Sequence, residues 1–223
     1  MIPSASSFPP GWPIIPDSAT TPAPSSSDDQ ERDRRREARR LTVHVAAQLQ
    51  ARMSATFLPP VEALVTEGLT RLRSAIKIYR SGRKIDDLTA VQLGLDLQIV
   101  QIRDEAWIAL DASADLFTDL GLWEDLTKIV DKACLPPISS LVAFMAWRRE
   151  RFDIAHDAAL AALKIDPSYD LAHLVHDAVH DGIPPSWCQP IAIAAARLGS
   201  GRPNPSWMEP LRQKITLYTQ TTG

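Results

Sequence analysis

A chain of 223 residues and 24.6 kDa, with 24 Lys plus Arg against 27 Asp plus Glu, carries a formal charge of -3. This length supports one substantial core with appendages, and the charge balance gives no global attraction to nucleic acid or to an anionic membrane. The two isolated cysteines, Cys134 and Cys188, point away from a disulfide framework or a zinc cluster, and no run approaches the roughly 18 apolar residues of a membrane span. Without a secretory n-region and h-region at its N-terminus, the chain is expected to be cytoplasmic. Its 18 Arg against 6 Lys fit a GC-rich genome.

Seven prolines alternate with Ser, Thr and Ala between Met1 and Ser27, so the backbone lacks donors for a helix or ladder and is expected to be disordered. Within this tail, Phe8 and Trp12 stand on a stiff proline-rich backbone, the form in which a short motif offers anchors to a partner groove. The plainer reading is a proline-rich tail with no partner. Asp28 to Arg40 then carries five acids and six bases in a helix-favouring run, with Asp33 and Glu37 placed to pair with arginines three or four residues away. Leu41, Val45, Leu49, Met53 and Phe57 continue as an apolar stripe to Pro59, and Val61 to Tyr79 marks a second helix ended by Gly82. These two helices could pair two copies of the chain or cover its own core.

Asp86 and Asp87 cap the next segment, where the spacing predicts two short helices with a bend between Leu97 and Ile102. Another amphipathic stretch from Ala112 to Cys134 is expected to break or bend at Gly121. Residues 137 to 170 read as a hairpin of two amphipathic helices resembling one tetratricopeptide unit. Its small residues, Ala143, Ala155, Ala159 and Ala162, fall where helices must touch, and Pro167 stops the second helix. Further helices are predicted over Tyr169 to Val179, Pro190 to Leu198 and Trp207 to Tyr218. The fold class is therefore all-α, a helical bundle or short α-solenoid-like array of hairpins. The organisation expected is a disordered tail over 1–30, a helical pair over 31–82, a helical domain over 85–199 with the hairpin at 137–167, and a linker and C-terminal helix over 200–223.

IRDEAW from Ile102, LWEDL from Leu122, the hairpin with its following DPSYDLAHLV, and DGIPP from Asp181 together resemble the helical C-terminal part of the actinobacterial domain-of-unknown-function family four-one-nine-two, over about residues 80 to 187. The resemblance implies a helical fold and an actinobacterial or actinophage-type source, and it implies no activity. Members of that family carry an α/β-like portion before these helices, which this chain lacks before residue 60, and a Gly at the hairpin turn, where this chain has Arg151 or its neighbour.

Candidate chemistry is sparse. His173, His176 and His180 lie near one face of a helix, and HDAVH has metalloprotease spacing with Asp177 in the base position, although a third ligand is wanting. The plainer reading is a solvated polar face. Phe144, Trp147 and Arg148 would face an inner groove by analogy with tetratricopeptide units and take a partner's apolar side chain and carboxylate. Otherwise the two aromatics pack on the helix after Tyr169. Arg32, Arg34, Arg35, Arg36, Arg39 and Arg40 could touch nucleic-acid phosphates, a reading weakened by the interleaved acids. There is no nucleophile elbow, phosphate loop or dinucleotide glycine pattern. The expected function is thus a non-enzymatic protein-interaction or scaffolding module with a protein partner, self-association through residues 41 to 79 as a further option, and no cofactor. A nucleic-acid accessory protein and a metal-binding hydrolase are the alternatives.

Overall fold

The computed structural model describes residues 26–54, 61–111, 116–187 and 205–220. Among them every regular element is helical: α1 (Ser26–Ser54), α2 (Val61–Arg80), α3 (Asp87–Asp96), α4 (Val100–Asp111), α5 (Leu116–Ile129), α6 (Leu135–Arg148), α7 (Phe152–Ile165), α8 (Asp170–His180) and α9 (Glu209–Gln220), with short 3-10 turns at Lys132–Cys134, Pro185–Trp187 and Pro205–Met208. The all-α expectation holds for these residues. The proline-rich tail with Phe8 and Trp12, Phe57, Cys188 and the helix expected over Pro190 to Leu198 lie outside them.

The apolar stripe of α1 is used within the chain. Val45 and Ala46 are buried, Leu41, Leu49 and Met53 pack on the same core, and the helix lies against α9, α3 and α5. The buried Thr42 hydroxyl donates to the Ala38 carbonyl at 2.7 Å, so its burial leaves no polar atom unmatched. Helix α2 buries Leu64, Val65, Leu72, Ile76 and Tyr79 against α3, α4 and α5.

Asp86 caps α3 by accepting from the Thr89 amide at 2.7 Å, and the hydrogen bonds of Thr89 hold the Asp86 carboxyl below its ordinary value. The expected bend between Leu97 and Ile102 is present: α3 ends at Asp96 and α4 begins at Val100. Leu93 to Ile99 are all buried across this bend. The Gln98 amide ties the bend down, donating to the carbonyls of Gly94 at 2.9 Å and Cys134 at 3.2 Å. At Gly121 the expectation is corrected. α5 runs through it without a break, because helix propensity costs only about 1 kcal/mol at a glycine and the buried Leu122, Trp123 and Leu126 hold the turn against the core.

Helices α6 and α7 fold back on each other, and α8 packs on both. Ala143, Ala155, Ala159 and Ala162 are fully buried at the contact, as their size requires. α7 stops at Ile165, and Asp166 accepts from the Ser168 amide at 3.0 Å to turn the chain into α8.

Three helices end in the same way. After α2, Gly82 has φ 74°, with Arg83 N–H bonded to Ile78 O and Gly82 N–H to Tyr79 O; after α8, Gly182 has φ 65°, with Ile183 N–H bonded to Ala178 O. After α6 the pattern recurs, Arg151 N–H to Ala146 O and Glu150 N–H to Trp147 O, but the left-handed residue is Glu150 at φ 59°. A side chain with a Cβ resists that conformation by roughly 1 kcal/mol. Glu150→Gly should therefore raise stability by about 0.5–1 kcal/mol in urea unfolding; an unchanged or lower midpoint would show that the exposed Glu150 side chain repays the strain.

Candidate functional site

The groove expected at Phe144, Trp147 and Arg148 is filled by the chain itself. Phe144 is 4% and Trp147 3% exposed. The Trp107 ring meets Phe144 edge-on at 5.3 Å, and Phe144 lies 6.0 Å from Trp147. Trp147 Nε1 donates to the Ile183 carbonyl at 3.0 Å, and the Arg148 guanidinium donates to the Pro185 carbonyl at 3.1 Å. The DGIPP segment thus occupies the place assigned to a foreign peptide, which corrects the reading of these three residues as a free partner site. Pro184 and Pro185 have no N–H, and the two side-chain donors of α6 meet carbonyls on either side of Pro184, the second of them at the first residue of the Pro185–Trp187 turn. Arg103, also among the residues that carry the resemblance, stacks 5.9 Å over the Tyr169 ring at the start of α8.

The three histidines do not converge on one point. His173 Nε2 lies 2.7 Å from the Pro167 carbonyl, away from the others, and His176 Nδ1 contacts the Asp177 carboxylate at 3.1 Å. His176 stacks 6.2 Å from His180, and the His156 ring of α7 lies tilted 5.4 Å from it. Among the described residues no group of three or more His, Cys, Asp or Glu is placed to hold a metal ion. His156 was not legible as their neighbour, since only the packing of α7 on α8 brings it there.

The arginine-rich segment is the first half of α1. Arg32, Arg36 and Arg40 pair with Asp29, Asp33 and Glu37, each at 3.5 Å between exposed side chains. Arg34 faces a cleft of about 660 Å³ between α1, the end of α2, the loop before α3, and α5. In its wall Asp125 accepts from the Tyr79 hydroxyl at 2.9 Å and pairs with Lys84 at 2.8 Å. Burial would raise the Asp125 carboxyl, but these partners, with Lys128, hold it below its ordinary value, while burial first and Asp125 second push the Tyr79 phenol up. Arg35, Arg36 and Arg39 line a second cleft on the other side of Ala38.

Asp96 and Cys134 are two further buried polar groups. Asp96 pairs with Arg71 beside the bidentate Arg52 to Glu67 bridge at 3.0 and 2.9 Å. Burial raises the Asp96 carboxyl to about 6 against the pull of Arg71. The Cys134 thiol is fully buried, 3.6 Å from the Tyr218 hydroxyl, which itself donates to Asp131 at 2.6 Å; burial pushes the thiol up to about 12.

The family model described as a domain of unknown function (DUF4192) matches residues 18–186, and the chain belongs to that family. The match begins far before residue 80 and takes in the wholly helical α1 and α2, so the family region is wider than the part that carries the resemblance in sequence. No curated protein and no solved structure matches the chain. No described helix is long and apolar enough to cross a membrane.

In the unfolded chain Asp96 titrates near the usual carboxylate value of about 4, so between there and about 6 the folded form binds more protons. The stability this group contributes is therefore full below about pH 4 and lost as pH rises through about 6. Relative to Asp96→Asn, the native chain should lose roughly 1–3 kcal/mol across that window in urea titrations, and parallel curves would refute the assignment. In a Cys188→Ser background, Cys134 should resist thiol reagents at neutral pH until denaturant is added; rapid labelling of the native protein would contradict its burial.

Proposed function

We propose that this member of the DUF4192 family is a non-enzymatic, cytoplasmic protein-interaction module built on a tetratricopeptide-like hairpin, and that its docking face is the outer side of α7. The observation that carries the reading is the distribution of exposed oily residues. Of the seven large hydrophobics exposed among the described residues, Phe152, Ile154, Ile165, Leu174 and Trp187 fall between residues 152 and 187. Within α7, Ile154, Ala158, Ala161 and Ile165 are spaced four, three and four residues apart, which puts them in one line along the helix.

An isoleucine at each end of the line and alanines between them form a shallow seat that a second helix can approach closely. Asp153, Asp157 and Lys164 rim it with both signs of charge, which sets register more than affinity. The occupant proposed is an amphipathic helix of a partner protein, reading this line by its own apolar stripe. A buried and free thiol at Cys134 suits a reducing compartment.

Burying one isoleucine is worth about 1.5–3 kcal/mol, so a charge at either end should weaken a complex by roughly tenfold to a hundredfold. A photo-crosslinker at Ala161 in the native cell should capture a discrete partner that the same group at the exposed Ser74 of α2 does not. Ile154→Glu and Ile165→Glu should each reduce the capture at least tenfold while leaving the melting curve unchanged. Equal products at Ala161 and Ser74, or turnover of a small molecule by the purified chain, would overturn the proposal.

A further inference from the structure

The second cleft, bounded by α1, the end of α5, the Lys132–Cys134 turn and the start of α6, has a volume of about 500 Å³. Its wall carries Arg35, Arg36 and Arg39 from α1, facing Lys128 and Lys132 from the other side, with Asp131 between them. Among the described residues five cations stand against one carboxylate in a chain whose formal charge is -3, so the concentration is local. The Asp131 carboxylate is also engaged inward. Its Oδ1 accepts from the Ala133 amide at 3.0 Å and from the Tyr218 hydroxyl at 2.6 Å.

Two of these cations are held by loose ion pairs. Arg36 meets Asp33 at 3.5 Å and Lys128 meets Asp125 at 3.5 Å, both between exposed cation and helix-neighbour carboxylate, pairs that a stronger anion displaces readily. Arginine forks match phosphate oxygens in pairs and lysines serve as point charges, so the two walls supply complementary donors. The volume is that of a small-molecule site. Acidic side chains close it off along α1, because Asp33 and Glu37 line the neighbouring cleft and would repel an extended nucleic-acid backbone.

We infer that this cleft binds a short polyphosphate chain, of inorganic or nucleotide origin, through Arg35, Arg39 and Lys132. No aromatic side chain lines it among the described residues, so the phosphates are recognised and the base is not. This site is separate from the α7 face and stands whether or not that face docks a partner.

Calorimetry with the full chain should give saturable binding of inorganic triphosphate and of ATP with affinities within about threefold of each other, and none of adenosine. Arg39→Ala and Lys132→Ala should each weaken triphosphate at least tenfold, while Arg73→Ala, on the exposed side of α2, should not; melting curves of all three variants check that the fold is kept. Binding should weaken steeply as salt is raised. Absence of triphosphate binding, equal binding by the Arg39 and Lys132 variants, binding of ATP with none of triphosphate, or a short DNA duplex that outcompetes triphosphate at equal phosphate concentration would overturn the assignment.

Discussion

Helix α6 has almost no solvent face, and the rest of the structure is arranged to supply it with neighbours. From Pro136 to Trp147 every residue is buried except the half-buried Val142. A helix presents side chains all around its axis, so such a sequence must be enclosed, and α4, α5, α7 and α8 enclose it. Leu141 and Met145 point into the main core, which reaches α1 and α9, while Ala143, Phe144, Ala146 and Trp147 belong to a second cluster with α7 and α8. Trp107 of α4 touches both clusters. One helix therefore couples the two halves of the apolar interior.

Enclosure on all sides raises the cost of any unmatched polar atom, and the chain meets it locally. The fully buried Ser140 donates to the Pro136 carbonyl at 2.7 Å, four residues back. Pro136 and Pro137 occupy the first turn, where an amide hydrogen would have lacked a partner in any case. At the other end, Trp147 and Arg148 find carbonyls in the segment after α8. The same bonds that satisfy α6 thus hold residues 183 to 185 over the aromatic pair, and a groove that a longer array of hairpins would leave open is closed.

The helices were legible because their spacing is a local property. Apolar residues at three and four positions apart, Asp86 before α3, Gly82 after α2 and Pro167 after α7 each act within one turn of where they stand. What packing decides was not legible. Gly121 reads as a breaker in isolation, yet α5 passes through it because its neighbours are anchored. Phe144 and Trp147 have the same helical phase whether a groove is empty or filled, and only the position of Ile183 to Pro185 distinguishes the two. The residues that line the basic cleft lie some ninety positions apart in the chain, so no window along the sequence contains both walls.

The charged half of α1 illustrates how a sum over residues can hide an arrangement. Acids and bases alternate along Asp28 to Arg40, and their near-cancellation argues against an anion site as long as the segment is read as a line. Wound into a helix at about 100° per residue, Asp33 and Glu37 come to lie on one side of Ala38 and Arg35 and Arg39 on the other. Ala38 is where the helix is buried, so the body of the protein stands between the two sides as a low-dielectric partition. The acids then share a cleft with Arg34, Lys84 and Lys128, while Arg35 and Arg39 share theirs with Lys128 and Lys132. Lys128 borders both clefts and pairs with Asp125 in the first. A four-residue repeat and one buried alanine thus give a segment of nearly zero net charge a mixed cleft on one side and a predominantly basic one on the other.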